Sequence, residues 1–343
     1  MLEQTPSQVT APLTMQPDVP LMPTPRSTVL TDGPASLYRF SLPEGVAPAK
    51  APPVLLVPSM INRWYVLDLR AGCSVAEAFT KAGLDTWCLD WGTPESHDRY
   101  FTWNEALQRL DRMLRRVRRV TGAEKVVVLG YCMGATLTSV HAALNPDLYA
   151  AFINLLGPID FSAAGMLGRM TDPRWFDASV VAEAGNVSPE QMQSGFKLLR
   201  PTQDIAKAVT LLEKGMDPAF QLSYRALEAW ASDNIAFPAA AYETYITELY
   251  QKNNLVHGRH HALGQRVDLH AITCPVLTIA ADKDTICPPN AAVALNAVVG
   301  STVTRVLPVP GGHVGAVVGS KAAEKLYPAL IEWAKSAPHT EKS

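Results

Sequence analysis

Val126-Val-Val-Leu-Gly-Tyr-Cys-Met-Gly-Ala135 runs from four apolar residues into a glycine-framed cysteine, and a helical pattern follows to about Leu144. A short continuous apolar run reads as a strand buried on both faces. The chain must then turn sharply into the helix. Gly130 and Gly134, two residues before and two after Cys132, leave room where side chains would collide. This is the nucleophile-elbow pattern G-x-S-x-G with cysteine at the serine position. The turn projects Cys132 above the sheet at a helix N-terminus, where the helix dipole favours a thiolate. A lone G-x-C-x-G string arises by chance, and a free cysteine is most often a small buried hydrophobe. The motif therefore needs support from the rest of the chain.

Working outward, Leu37–Leu42 reads as an edge strand, 54–57 as a buried strand ended by Pro58, 73–82 as a helix and Thr86–Leu89 as another strand. Residues 103–119 form a helix by period, with Leu107, Leu110, Leu114 and Val117 on one face and six arginines on the other, read as a solvated face. Strand patterns return at 151–156, 276–280 and 302–307, and a terminal helix at 321–335. Alternation of strands and helices predicts an α/β fold of the α/β-hydrolase type, a mostly parallel sheet with helices on both faces. The alternation breaks off over 158–265, which reads as an inserted lid or cap above the C-terminal edge of the strands, where such sheets bind ligands. The expected organisation is a proline-rich arm at 1–30, a core from 31–157 and 266–343, and the cap between them.

An elbow nucleophile calls for an acid and a histidine downstream, in that order. The strand at 276–280 leads into Asp282-Lys-Asp284-Thr-Ile286, and the strand at 302–307 into Gly311-Gly-His313. His313, framed by glycines, is the candidate base. Asp284 is favoured over Asp282 because it lies deeper in the loop, beside an apolar residue and a proline turn. The oxyanion hole takes the N–H of Met133, just after the nucleophile, and a second N–H from the loop after the early strand, at Met60 or Ile61, of which Ile61 is chosen. Asn62, Trp91 and Tyr131 flank these positions and are the candidate substrate contacts. Most of Trp64, Tyr65, Trp91 and Trp230 read as core packing.

Composition excludes several classes. A formal net charge of −2 gives no footprint for nucleic acid. Five cysteines at long spacings, without C-x-x-C, suggest neither a disulfide framework nor a zinc site. His257, His260, His261 and His270 have no acid or thiol at ligand spacing and read as a polar loop, so no metal is expected. No apolar run is long enough to span a membrane, and no leader pattern opens the chain, so a reducing cytoplasm is the expected setting.

Beyond the elbow, further segments stand out: V-P-S-M-I-N-R-W-Y-V-L-D-L at 57–69, L-D-W-G-T-P at 89–94, W-A-S-D-N at 230–234, L-Y-Q-K-N-N-L at 249–255, V-D-L at 267–269, D-T-I-C-P-P at 284–289 and G-G-H-V-G at 311–315. In these the chain resembles the polyhydroxyalkanoate synthases, especially the short type that works with a second subunit. The resemblance implies a catalytic triad of Cys132, Asp284 and His313. It implies a 3-hydroxyacyl-CoA substrate polymerised into polyester with release of coenzyme A, and no separate cofactor. It also implies a homodimer, a helical partner subunit and a place at polyester granules. Ala135 and Thr285 depart from the glycine and histidine frequent in that family. A cysteine hydrolase that passes the acyl group to water is the other reading.

Overall fold

Val54–Val57 and Val126–Tyr131 are buried at every position. A strand with no exposed face needs neighbours on both sides and helices above and below. The computed structural model, which describes residues 19–199 and 210–338, supplies both. Eight strands form one sheet: β1 (Arg26–Asp32), β2 (Ala35–Phe40), β3 (Val54–Val57), β4 (Thr86–Asp90), β5 (Val126–Tyr131), β6 (Tyr149–Leu155), β7 (Val276–Ala281) and β8 (Thr304–Val309). Their spatial order is β1-β2-β4-β3-β5-β6-β7-β8. The first two pairings are antiparallel and the remaining five parallel. β5 lies between β3 and β6, so the elbow leaves the sheet near its middle.

β2 is therefore not the edge strand expected from its sequence. β1 covers it, pairing Arg26 with Phe40 and Asp32 with Ala35 through a register irregularity near Thr28. Of the arm expected over 1–30, residues 1–18 lie outside the described residues. From Arg26 the chain is already a strand, and Thr24 is fixed by hydrogen bonds to the buried Asp68.

Helices on both sides of the elbow pack against the sheet, three of them in the first half of the chain. α1 (Val75–Lys81) is capped by the Ser74 hydroxyl, which accepts from the Glu77 N–H. α2 (Trp103–Thr121) opens with a reciprocal Thr102–Glu105 capping box and closes at Gly122, in the left-handed conformation that glycine takes without strain. It buries Ala106, Leu107, Leu110, Met113, Leu114 and Val117 in the core. Its arginine face is partly paired, with Arg112 on Asp32 and Arg115 on Asp111. α3 (Met133–Leu144) starts at the elbow and is buried at all but its last residue.

Between β6 and β7 the chain leaves the sheet. The described part of this insertion is mostly helical, including Pro189–Leu198, Pro218–Ser232 and Ala239–Thr244, which runs on as a π-helix over Tyr245–Gln251, and it ends in a short hairpin of His261–Ala262 with Gln265–Arg266. Residues 200–209 lie outside the described residues. The insertion is pinned to the loop after β3. Asn62 Nδ2 donates to Asn234 Oδ1 at 2.7 Å, Arg63 pairs with Asp233 at 2.9 Å, and Tyr65 Oη donates to the same carboxylate at 2.8 Å. The Trp230 indole N–H donates to the Arg63 carbonyl at 3.0 Å. Two segments more than 160 residues apart, 62–65 and 230–234, thus form one latch. One reading of the histidine-rich loop needs correction. His260 is buried, and neither ring nitrogen has a partner among the described residues.

Candidate active site

The elbow is tight because backbone passes on every side of it. A Cβ at Gly130 would lie 2.4 Å from Ala135 Cα, and one at Gly134 would lie 2.3 and 2.4 Å from the Val57 and Pro58 carbonyl oxygens. Only glycine lets α3 approach the strand ends so closely. Cys132 itself has φ 56° and ψ −130°, outside the comfortable range of an L-residue. The turn is held by its N–H donating to the Leu155 carbonyl at 3.0 Å and its own carbonyl accepting from Ala135 at 2.9 Å. Strain of this kind persists only where the surroundings enforce it, and it clusters at functional sites. The departure at Ala135 is accommodated by Gly157, whose own Cβ would lie 2.3 Å from the Ala135 methyl.

His313 and Asp284 arrive from the ends of β8 and β7. His313 Nδ1 lies 2.6 Å from Asp284 Oδ2, and both side chains are buried. The other Asp284 oxygen accepts from the N–H groups of Ile286 and Cys287 at 2.8 and 2.9 Å, which fixes the carboxylate. Asp282 does different work. Its exposed carboxylate accepts from the Gly311 N–H at 2.8 Å and laces the acid loop to the histidine loop. His313 Nε2 is buried and has no hydrogen-bond partner among the described residues, so it is the nitrogen left for chemistry. Burial alone would lower the pKa of His313. The charges of Cys132 and Asp284 and the hydrogen bond to Asp284 outweigh it and push the imidazole up to about 10.

The remaining candidates fall into different places. Met133 is the first residue of α3, with the close approach at Gly134 setting it against the 58–62 loop. The Ile61 N–H turns toward Ser59 Oγ at 3.4 Å, whereas the Met60 N–H has no acceptor among the described residues. Met60 is thus the better-placed of the two sequence candidates, because its amide is not already engaged. Trp91 is buried with its indole N–H on the Pro58 carbonyl at 2.9 Å, and so braces this loop. Asn62 belongs to the latch. Tyr131 is buried under His313, its ring centroid 5.4 Å from the imidazole in a stacked pair. Burial, with the charges of Cys132 and Asp284 adding, pushes its phenol pKa well up. In place of a free substrate contact, the tyrosine gives the histidine a floor.

Sequence reasoning missed the far wall. The π-helix brings Tyr245 and Tyr250 together at 5.5 Å, each packed on Phe161. Burial raises the Tyr250 pKa, and the charges of Cys132 and Cys287 raise it further. The π-helix is a recurrent mark of functional sites and leaves no plain periodic signal. Among the described residues no cluster of His, Cys, Asp and Glu is arranged to hold a metal ion, and no helix is long and apolar enough to cross a membrane.

A cysteine elbow with a buried carboxylate–imidazole pair suits covalent acyl chemistry of some kind. Comparison with known proteins narrows it. Residues 52–320 match the alpha/beta hydrolase fold family. The chain is 31% identical over 315 residues to the poly(3-hydroxyalkanoate) polymerase subunit PhaC of Allochromatium vinosum, covering 90% of this chain and 88% of that protein.

The chain belongs to the poly(3-hydroxyalkanoate) polymerase family.

It is 32% identical to the PhaC subunit of Haloferax mediterranei over 285 residues, 82% of this chain but only 58% of that longer protein. Membership in this family makes the chain an enzyme of the acyltransferase kind. Among solved structures, the monoacylglycerol lipase of Paleococcus ferrophilus is similar with a TM-score of 0.52 at 17% identity, covering 88% of this chain and 98% of that one. At that identity the likeness concerns the fold alone.

Proposed function

We propose that this polymerase-family chain builds polyester from 3-hydroxyacyl-CoA through an acyl group carried on Cys132. The observation that carries the reading is the His313–Asp284 pair, with its free, buried Nε2, on the same sheet edge as a strained cysteine elbow. In the first half-reaction the Cys132 thiolate attacks the thioester carbonyl. The oxyanion is met by the Met133 N–H and an amide of the 58–62 loop. The C–S bond to coenzyme A breaks, and the proton on His313 leaves with the coenzyme as a thiol. His313 is then neutral. In the second half-reaction a hydroxyl, from a new monomer or the growing chain end, gives its proton to His313 Nε2 and attacks the Cys132 acyl carbon. The ester forms, the thiolate departs, and the imidazolium–thiolate pair is restored.

Cysteine suits this order of events. Thioester-to-thioester exchange is nearly balanced, so the acyl group stays activated until the hydroxyl arrives. A serine would fall to an oxoester in the first step and lose that driving force. The coenzyme is part of the substrate, and the scheme uses no separate cofactor or metal. A homodimer, a helical partner subunit and attachment to the granule of its own product complete the proposal.

The test is to supply 3-hydroxybutyryl-CoA, with and without a helical partner subunit, and follow both coenzyme A and insoluble polymer. Coenzyme A release with polymer is expected. Release with free 3-hydroxybutyrate would instead make the chain a hydrolase, and no release in either case would contradict the acyl-CoA reading.

A further inference from the structure

The insertion holds a cleft of about 490 Å³ between residues 161–173 and Tyr250-Gln251. Its two ends differ in chemistry. At the floor, the Phe161 and Tyr250 rings meet at 4.7 Å. Beside them Ala163 packs on Cys287, whose N–H donates to Asp284 Oδ1. The floor is therefore one residue removed from the acid of the triad. The walls are built from small residues, among them Ser162, Gly165 and Gly168, which leaves a slot.

The rim is basic and aromatic. Arg169 lines the cleft, is exposed, and has no acid partner among the described residues. Trp175 is 62% exposed, and its indole N–H donates to the Arg169 carbonyl at 3.0 Å, which fixes the ring in the open. The Arg174 guanidinium lies 4.8 Å over the Trp175 ring and is held there by both oxygens of Asp172. Asp172, the acid in the cleft lining, is thus already neutralised by Arg174. An indole fixed in water offers a flat face for a heteroaromatic base, and Arg169 beside it offers a planar cation for phosphates. A substrate whose thioester and polyanionic nucleotide lie at opposite ends of a thin arm matches a slot with an aromatic floor and a cation at its rim.

Resting on the acyl-CoA reading above, we propose that this rim binds the nucleotide end of the coenzyme. Trp175 takes the adenine on the face opposite Arg174, Arg169 faces the phosphates, and the pantetheine arm lies in the slot.

The experiment compares wild type, Arg169→Glu and Trp175→Ala on 3-hydroxybutyryl-CoA and on the same acyl group carried by pantetheine. Both changes are at exposed side chains. The KM for the coenzyme thioester should rise about tenfold in each variant, the size expected for one charged or stacking contact. The KM for the pantetheine thioester should not move. Equal changes on both thioesters, or none, would overturn the proposal. Calorimetric titration with desulfo-coenzyme A separates this from the acyl-transfer reading, since it needs no turnover. Wild-type binding weakened about tenfold by either variant supports the rim even if neither thioester is consumed. Absent binding, or binding that both variants retain, contradicts it.

Discussion

Cys132 holds φ 56° and ψ −130°, a conformation that costs a residue with a Cβ on the order of 1–3 kcal/mol. Glycine adopts it freely. Cys132→Gly should therefore unfold at a higher temperature than Cys132→Ala, by the equivalent of about 1 kcal/mol, and both should be inactive. Equal melting would mean that the turn relaxes and stores no strain. His313 gives a second residue-scale prediction. Its imidazole, raised to about 10 from an ordinary 6.5, should keep its proton far above the usual histidine range in a nitrogen NMR titration. Cys132→Ala removes a named cause of that rise and should bring the titration down. An unshifted value in the variant would rule out the charge pair. Because the folded pKa is raised, the stability this group lends is complete below pH 6.5 and is lost as pH climbs toward about 10.

At the scale of elements, the latch between 62–65 and 230–234 is the contact whose removal speaks most directly to the insertion. Its ion pair is part-exposed, with side chains 27% and 44% accessible, so it contributes at most about 1 kcal/mol. Asp233→Ala should leave global unfolding almost unchanged while raising amide hydrogen exchange across Pro218–Ser232. Unaltered exchange there would show that the Trp230 and Asn62 contacts suffice. The latch also marks where sequence reading stops. Strands such as Val54–Val57 and Val126–Tyr131 were legible because full burial demands unbroken apolar runs, and Gly130 and Gly134 because a tight turn excludes side chains. β1 carries a mixed half-exposed pattern, which does not separate an edge strand from a loop. The pairing of Asn62 with Asn234, and the packing of Tyr250 on Phe161, join residues distant along the chain. No local period encodes such meetings.

For the molecule as a whole, the order cysteine, aspartate, histidine along the chain becomes a single edge of the sheet. Cys132 follows β5, Asp284 follows β7 and His313 follows β8, and the insertion lies between β6 and β7. Asp284 and Asp282 illustrate how much more the three-dimensional arrangement adds. Two residues apart in one loop, one holds His313 and the other ties the loop to Gly311. Asp284→Asn should accordingly slow polymer elongation by at least about a hundredfold, in the range of general-base catalysis, and Asp282→Asn should act mainly on stability. Equal rate losses would dissolve that division of labour. The central claim is that the acyl group on Cys132 passes to a hydroxyl and not to water. It is tested most directly by rapid quenching with 3-hydroxybutyryl-CoA, followed by mass measurement of the Cys132 peptide. A ladder of adducts spaced by one hydroxyacyl residue is the predicted result. A single adduct that decays to free acid, or adducts on another residue, would contradict the account.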